Sequence, residues 1–269
     1  MLSVRTNQAV PLSIAQVTDM HIFANQTQRL LGMETQRSLW EAIERIRIKS
    51  ELDLLLLTGN ISGDGSYASY ETVNNLITPL KIPTYWLVGD CDRDRIMEDC
   101  LNTGMFSQRK VFERGGWHFI LLNSCVVGSS YGFLSAQTLD WLEQHLIQAT
   151  PKPTLIALHH PPFPIGSDWL DTSCLQNSEE FLAVLDRHHH VKLVLFGHIH
   201  QEYHRHRQGV DYLGTPSTCV QFQPQSSTFK LDHRFPGFRL LQLYPDGTWK
   251  TQVERIPVFR DSNIAIAHR

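Results

Sequence analysis

Five short clusters in this chain hold residue types that can ligate divalent metals. They are Asp19-Met20-His21, Gly59-Asn60 with Asp64 just beyond, Gly89-Asp90-Cys91-Asp92, His159-His160-Pro161 and Gly197-His198-Ile199-His200. Carboxylates, an amide and several imidazoles in this mixture point to metal or proton chemistry, as does the total of 14 histidines. Each cluster also has a plainer explanation. A lone Asp-x-His triplet usually lies on the surface. His159-His160 could cap or stack in a loop, and His198-Ile199-His200 could end a strand with one ring in water. The conjunction decides the matter, because every cluster directly follows an apolar run.

Those runs are the elements that must position the clusters. Ser13–Thr18, Asp53–Thr58, Thr84–Val88, Thr154–Leu158 and Lys192–Phe196 read as strands, each ending in one cluster. In open α/β sheets the carboxyl ends of the strands are where sites form. Between them the spacing predicts helices over Thr35–Lys49, Tyr67–Leu76, Ser135–Gln148 and about Glu179–His188, and a further strand over Trp117–Asn123. Leu39, Trp40, Ile43 and Ile46 are expected to share the buried stripe of the first helix. Past Gly209 short strands dominate, around Val210–Leu213, Phe238–Leu243 and Thr248–Arg255. An alternating α/β body followed by a β-rich tail, without repeat or linker, suggests one domain over residues 1–269.

Other polar features read as structural. His188-His189-His190 stands at a helix end, where the helix dipole favours an imidazolium. His204 and His206 alternate along a solvated strand or turn, and Asp64 fits the turn Ser62–Ser66. A formal charge of −3 gives no sign of nucleic-acid binding. Five scattered cysteines suggest a reducing compartment, and MLSVRTNQAVPLS lacks the apolar run of a leader. The longest apolar run, Leu54 to Leu57, is too short to span a bilayer. The expectation is a cytoplasmic protein without a membrane partner, and a homodimer is among the arrangements it allows.

The five clusters together resemble the signature of the calcineurin-like metallophosphoesterases. Further segments are similar to the bacterial class III cyclic-AMP phosphodiesterases: Gln16–Ala24, Leu30-Leu31-Gly32, Gly132-x-Leu134-Ser135, Ser167-x-Trp169-Leu170-Asp171, Gly197–Glu202 and Thr215–Phe222. The likeness runs to about Arg255. It implies an α/β fold of the αββα sandwich type, two mixed sheets flanked by helices. It also implies two divalent metal ions, iron and/or manganese. By position, Asp19, His21 and His200 would surround the first metal, Asn60 would bridge, and Asp90, His159 and His198 would complete the second. The implied reaction is hydrolysis of 3′,5′-cyclic AMP to 5′-AMP by a hydroxide activated between two metals. Cys91 and Asp92 would stand at the catalytic positions, and His21, Asn60, Asp90, Cys91, Trp169 and His200 would face the cyclic nucleotide.

Three residues depart from the family pattern of Gly-Asp and Gly-Asn-His-Asp. Here the clusters read Gly59-Asn60 and Gly89-Asp90-Cys91-Asp92. The amide at 60 is neutral, while Asp90 restores the number of carboxylates. Cys91 replaces a histidine with a thiol of ordinary pKa about 8.5, a weak hydrogen-bond donor. It could alternatively serve as a soft ligand favouring zinc. These departures set a cyclic-nucleotide phosphodiesterase of reduced activity against a catalytically impaired, regulatory metal- or nucleotide-binding relative, with a broader phosphodiesterase as a third reading.

Overall fold

The computed structural model describes residues 10–49 and 51–261. The first nine residues, which carry most of the segment read above as lacking a leader, lie outside that range. The chain alternates strands and helices in its first two thirds: β1 Leu12–Val17, β2 Arg29–Leu30, β3 Met33–Glu34, α1 Thr35–Ile48, β4 Leu54–Thr58, α2 Tyr67–Ile77, β5 Thr84–Leu87, α3 Asp94–Cys100, β6 Phe106–Ser107, β7 Val111–Arg114, β8 Trp117–Leu121, α4 Ala136–Ala149, β9 Thr154–Ala157, α5 Asp168–Asp171, α6 Ser178–Leu185 and β10 Val191–Phe196. It closes with β11 Tyr203–Arg207, β12 Val210–Gly214, β13 Gly237–Leu243 and β14 Trp249–Arg255.

Two six-stranded sheets result, ordered β14-β13-β1-β4-β5-β6 and β11-β12-β10-β9-β8-β7. Each has a parallel centre with antiparallel strands at one or both edges. The apolar runs are continuous because their strands are buried on both faces. Leu54 and Leu56 point into the layer between the sheets, where they meet Phe119, Leu155, Leu193 and Leu195. Leu55 and Leu57, one residue out of phase, pack outward against Leu39, Ile43 and Ile46 of α1. In the second sheet Ile156 and Val194 pack outward against Leu142 and Leu146 of α4 and Phe181 of α6. Four layers follow: helices, sheet, sheet, helices, the αββα arrangement that the resemblance implies.

The helix starts are built locally. Ser66 and Ser135 each cap a helix by accepting a hydrogen bond from the backbone N–H three residues on, Ser69 and Thr138 respectively. One expectation fails: Trp40 is 47% exposed while Leu39, Ile43 and Ile46 are buried. At about 100° per residue, Trp40 sits a quarter-turn off the stripe. The short elements α3, α5, β6 and β7 were not anticipated, since a few residues carry too little periodicity. The alternation at His204 and His206 is a solvated strand, with both rings on Asp211 at 2.7 and 3.0 Å. His188 bonds Glu143 of α4 at 2.9 Å, and Asp64 holds its turn through Ser66 and the Ala24 N–H. No helix among the described residues is long and apolar enough to cross a membrane.

A buried polar bridge joins the sheets beneath their carboxyl edge. The Gln16 amide donates to Thr58 Oγ1 at 3.0 Å and to the Phe196 carbonyl at 3.3 Å, and accepts from Thr215 at 2.6 Å. Buried amides require such complete pairing. This one locks β1, β4 and β10 in relative height, and so sets the level of the residues that follow them.

Candidate metal centre

At the ends of β1, β4 and β10 the chain turns in the left-handed region. Asp19, His21, Asn60, His198 and His200 have φ of 53°, 49°, 49°, 65° and 49°. Non-glycine residues seldom adopt this region, and β-strand ends here use it five times. The turn aims side chains into the crevice between the sheets. Gly197 makes the close approach possible: a Cβ there would stand 2.1 Å from Thr18 Oγ1 and 2.8 Å from Asp19 Oδ2.

Asp19 is held by one oxygen only. Its Oδ2 accepts from the Thr18 hydroxyl at 2.7 Å and the His198 N–H at 2.9 Å. Its Oδ1 is buried without a hydrogen-bond partner. His200 Nε2 stands 3.4 Å from that oxygen, and His21 Nε2 stands 3.3 Å from His200 Nε2. Asp19, His21 and His200 thus form one convergent donor set. Asp90, His160 and His198 form a second. Asp90 Oδ1 lies 3.4 Å from His198 Nδ1 and 3.1 Å from His159 Nε2. His159 Nε2 is also 3.9 Å from Asp19 Oδ1, so this ring stands between the two sets.

The donors fit divalent ions. Neighbouring ligands of an octahedral ion with bonds of about 2.1 Å lie about 3 Å apart, close to the spacings here. Asp19 Oδ1, His160 Nε2 and His198 Nε2 are buried and lack hydrogen-bond partners, an arrangement that costs free energy unless an ion takes up the lone pairs. On three of the rings the opposite nitrogen is anchored, as metal-bound imidazoles require. His159 Nδ1 bonds the Thr58 carbonyl at 2.8 Å, His200 Nδ1 the Val220 carbonyl at 2.9 Å, and His160 Nδ1 the Ser124 hydroxyl at 2.8 Å.

Charge is arranged to match. Burial would raise the Asp19 carboxyl, but His200, His159 and His21 hold it well below the usual range. Asp90 is likewise held low against burial by His159 and His198. Burial, and then His200, lower His21 to about 4. His159 goes the other way: burial opposes its charge, yet Asp90 and Asp19 raise it to about 9. The metal-free centre therefore keeps both carboxylates anionic.

The other candidate residues lie around these sets. Asn60 donates from Nδ2 to Asp90 Oδ1 at 2.9 Å, and its Oδ1 accepts from the Cys91 N–H at 2.9 Å. Cys91 lies at the rim, and desolvation of its thiol by the surrounding atoms, then Asp90, Asp92 and Asp19, push its pKa up. Asp92 turns toward backbone, accepting from the N–H groups of Ile61, Ser62 and Gly89 and from the Tyr70 hydroxyl. It ties the two loops that carry Asn60 and Asp90. Trp169 sits edge-on to Phe222 and Phe229, each 5.1 Å away, and Phe222 in turn stacks on the His200 ring at 4.2 Å. Trp169 thus adjoins the donor sets through Phe222. His160 and Phe222 were missed as individual residues in the sequence. The tandem His159-His160 was the available signal for the first, and the segment Thr215–Phe222 contained the second.

Residues 12–202 match the family described as calcineurin-like phosphoesterase. A 3′,5′-cyclic-nucleotide phosphodiesterase of Nostoc is 55% identical over 93% of this chain and 95% of its own length. The 3′,5′-cyclic adenosine monophosphate phosphodiesterase of Escherichia coli is 42% identical over 90% of this chain and 89% of its own. Among solved structures, a dimetal phosphatase from Danio rerio superposes with a TM-score of 0.69 at 16% identity, covering 87% of this chain and 93% of that one. That last likeness is one of fold.

Proposed function

The chain belongs to the calcineurin-like phosphoesterase family, and from that premise we propose that it hydrolyses 3′,5′-cyclic AMP to 5′-AMP in a metal-dependent reaction. One observation carries the reading. Two convergent sets of carboxylate and imidazole donors, three of whose atoms are buried without hydrogen bonds, stand side by side at the carboxyl edge of the sheets. The nucleotide comes from the relatives named for cyclic nucleotides, which align over nine-tenths or more of the chain.

Asp19, His21 and His200 would hold one ion, and Asp90, His198 and a ring of the His159-His160 pair the other, with iron or manganese as the proposed identity. Such a pair supplies activation of water and neutralisation of the phosphoryl oxygens. The protein supplies position. Thr18 and the His198 N–H fix Asp19, and the carbonyls of Thr58 and Val220 fix two imidazoles. In the net reaction water adds to phosphorus, the bond from phosphorus to the 3′ oxygen breaks, and that oxygen takes up a proton. Cys91 is the side chain at the rim beside Asp90. Its raised thiol stays protonated through neutral pH and is a weak donor, so turnover is expected to be slow.

The Cys91 thiol also favours a second reading, an impaired relative that binds nucleotide without turning it over. Protein reconstituted with manganese(II), then given cyclic AMP, 5′-AMP and an aryl phosphodiester, separates the two. Metal-dependent release of 5′-AMP from cyclic AMP is the expected result. Binding of cyclic AMP without turnover, with activity gained only on Cys91→His, would establish the second reading.

A further inference from the structure

Asn60 occupies the position where a residue shared by two metals is expected, but its amide faces elsewhere. The Oδ1 atom accepts the Cys91 N–H at 2.9 Å. It also lies against the Gly89 α-carbon so closely that a Cβ at 89 would come within 2.3 Å of it. The oxygen is therefore enclosed by the Gly89–Cys91 turn. The Cys91 N–H can only donate, which assigns the facing amide atom as oxygen. The other atom is then the NH₂ group, a donor, and it points at Asp90 Oδ1 2.9 Å away. Both ends of the amide are spent on the loop that carries Asp90.

Asp90 Oδ1 is the atom on which the second donor set turns. Besides the Asn60 amide it faces His159 Nε2 at 3.1 Å and His198 Nδ1 at 3.4 Å. A short carboxylate side chain on a turn has several rotamers, and a hydrogen bond from a fixed amide selects one. Asn60 is itself fixed, by its left-handed backbone at φ 49° and by the Gly89–Cys91 contact.

We propose that Asn60 is a positioning residue outside the metal coordination, and that its amide holds the Asp90 carboxylate so that each donor set has one carboxylate of its own. The inference rests on the metal-dependent reading above and departs from what the family resemblance implies at a single residue. It also explains why the amide and the carboxylate occur together. A carboxylate at 60 would set two anionic oxygens at the distance now spanned by the hydrogen bond, a repulsive contact in a buried place.

The test uses the full chain and manganese(II) chloride. In crystals of the manganese-loaded protein, Asn60 Oδ1 is expected to remain on the Cys91 N–H while an Asp90 oxygen lies about 2.2 Å from an ion, the range of carboxylate ligands. In solution, calorimetric titration should find two ions per chain in both wild type and Asn60→Ala. The variant should weaken one binding step about 10- to 100-fold, the usual effect of losing a partner behind a ligand, and leave the other unchanged. An Asn60 oxygen at bonding distance from either ion overturns the proposal, as does a fall to one ion per chain in Asn60→Ala. Absence of manganese binding by wild type would overturn the metal-dependent reading together with this one. Two ions with Asn60 among the ligands would overturn this one alone. If Asn60→Ala fails to fold, the wild-type crystals still decide.

Discussion

Asn60 and Asp90 are matched as donor and acceptor, and this governs what substitution does. Asn60→Asp alone places carboxylate against carboxylate across 2.9 Å. It is expected to lower manganese affinity and turnover about tenfold or more. Asn60→Asp with Asp90→Asn restores one donor and one acceptor, so the double variant should recover most of that loss. Calorimetry and cyclic-AMP turnover on the singles and the double measure the coupling, which additive effects would exclude. Cys91 makes a separate prediction. Cys91→His introduces a proton donor where the thiol is weak, and should raise kcat about 100-fold while changing KM little. An equal change in KM would mean that the residue acts in binding. Most residues of the two donor sets were legible in the sequence, because Asp19, His21, Asp90, His198 and His200 stand at the ends of apolar runs. His160 was not, since adjacent histidines share every local signal and only the direction of each ring tells them apart. Thr18, Ser124 and the carbonyls of Thr58 and Val220 act through tertiary hydrogen bonds that no spacing encodes.

The strand ends make the site, and their tolerance is small. The end of β10 passes β1 so closely that a Cβ on Gly197 would meet Thr18 Oγ1 at 2.1 Å and the Thr58 carbonyl at 3.1 Å. Gly197→Ala must push the strand ends apart or turn Thr18 away from Asp19. A cost of about 1–3 kcal/mol in stability is expected from overpacking. Manganese affinity should fall more than the stability does, because Asp19 and His198 lose their common anchor. Thermal melts and metal titration on the same sample check this, and unchanged metal affinity would refute it. The long elements were readable as elements: five apolar strands and four amphipathic helices stand within a few residues of their expected places. The short ones were not. α5 places Trp169 against Phe222, and β6 extends the first sheet beyond β5, yet each is set by its neighbours more than by its own residues. Trp40 shows the same limit, since proximity in sequence does not place a residue on the buried stripe.

For the molecule as a whole, the two sheets bring opposite charges into one buried crevice, and this gives stability a pH dependence. Against burial, Asp90 and Asp19 raise the His159 pKa from the ordinary imidazole value of about 6.5 to about 9. A folded-state pKa above the unfolded one means that the group stabilises the fold fully below about 6.5, and that this is lost as pH rises through about 9. Asp19 and Asp90, held low, contribute in the opposite sense: their stabilisation is present above the ordinary carboxylate range and fades in acid. The metal-free protein should therefore melt at a lower temperature at pH 9 than at pH 6.5. A metal must displace the His159 proton to use Nε2, so manganese affinity should climb with pH by about tenfold per unit for one proton released, levelling near pH 9. Melting curves and titrations across that range measure both slopes. A melting temperature that stays flat from pH 6.5 to 9 would show that His159 carries no proton in the folded protein.

Among the described residues, ten non-glycine positions have φ in the left-handed region, and five of them are Asp19, His21, Asn60, His198 and His200. Each such position costs of order 1 kcal/mol, which surrounding packing must offset. Selection for heat tolerance alone would therefore work against the site. Glycine relaxes the backbone at any of these positions and removes a donor or its support in the same step. Laboratory lineages screened only for surviving high temperature are expected to drift toward tougher and inert descendants, while lineages screened for turnover keep the strained turns. The corner that carries the donor sets is also where the protein's endurance and its proposed chemistry are traded against each other.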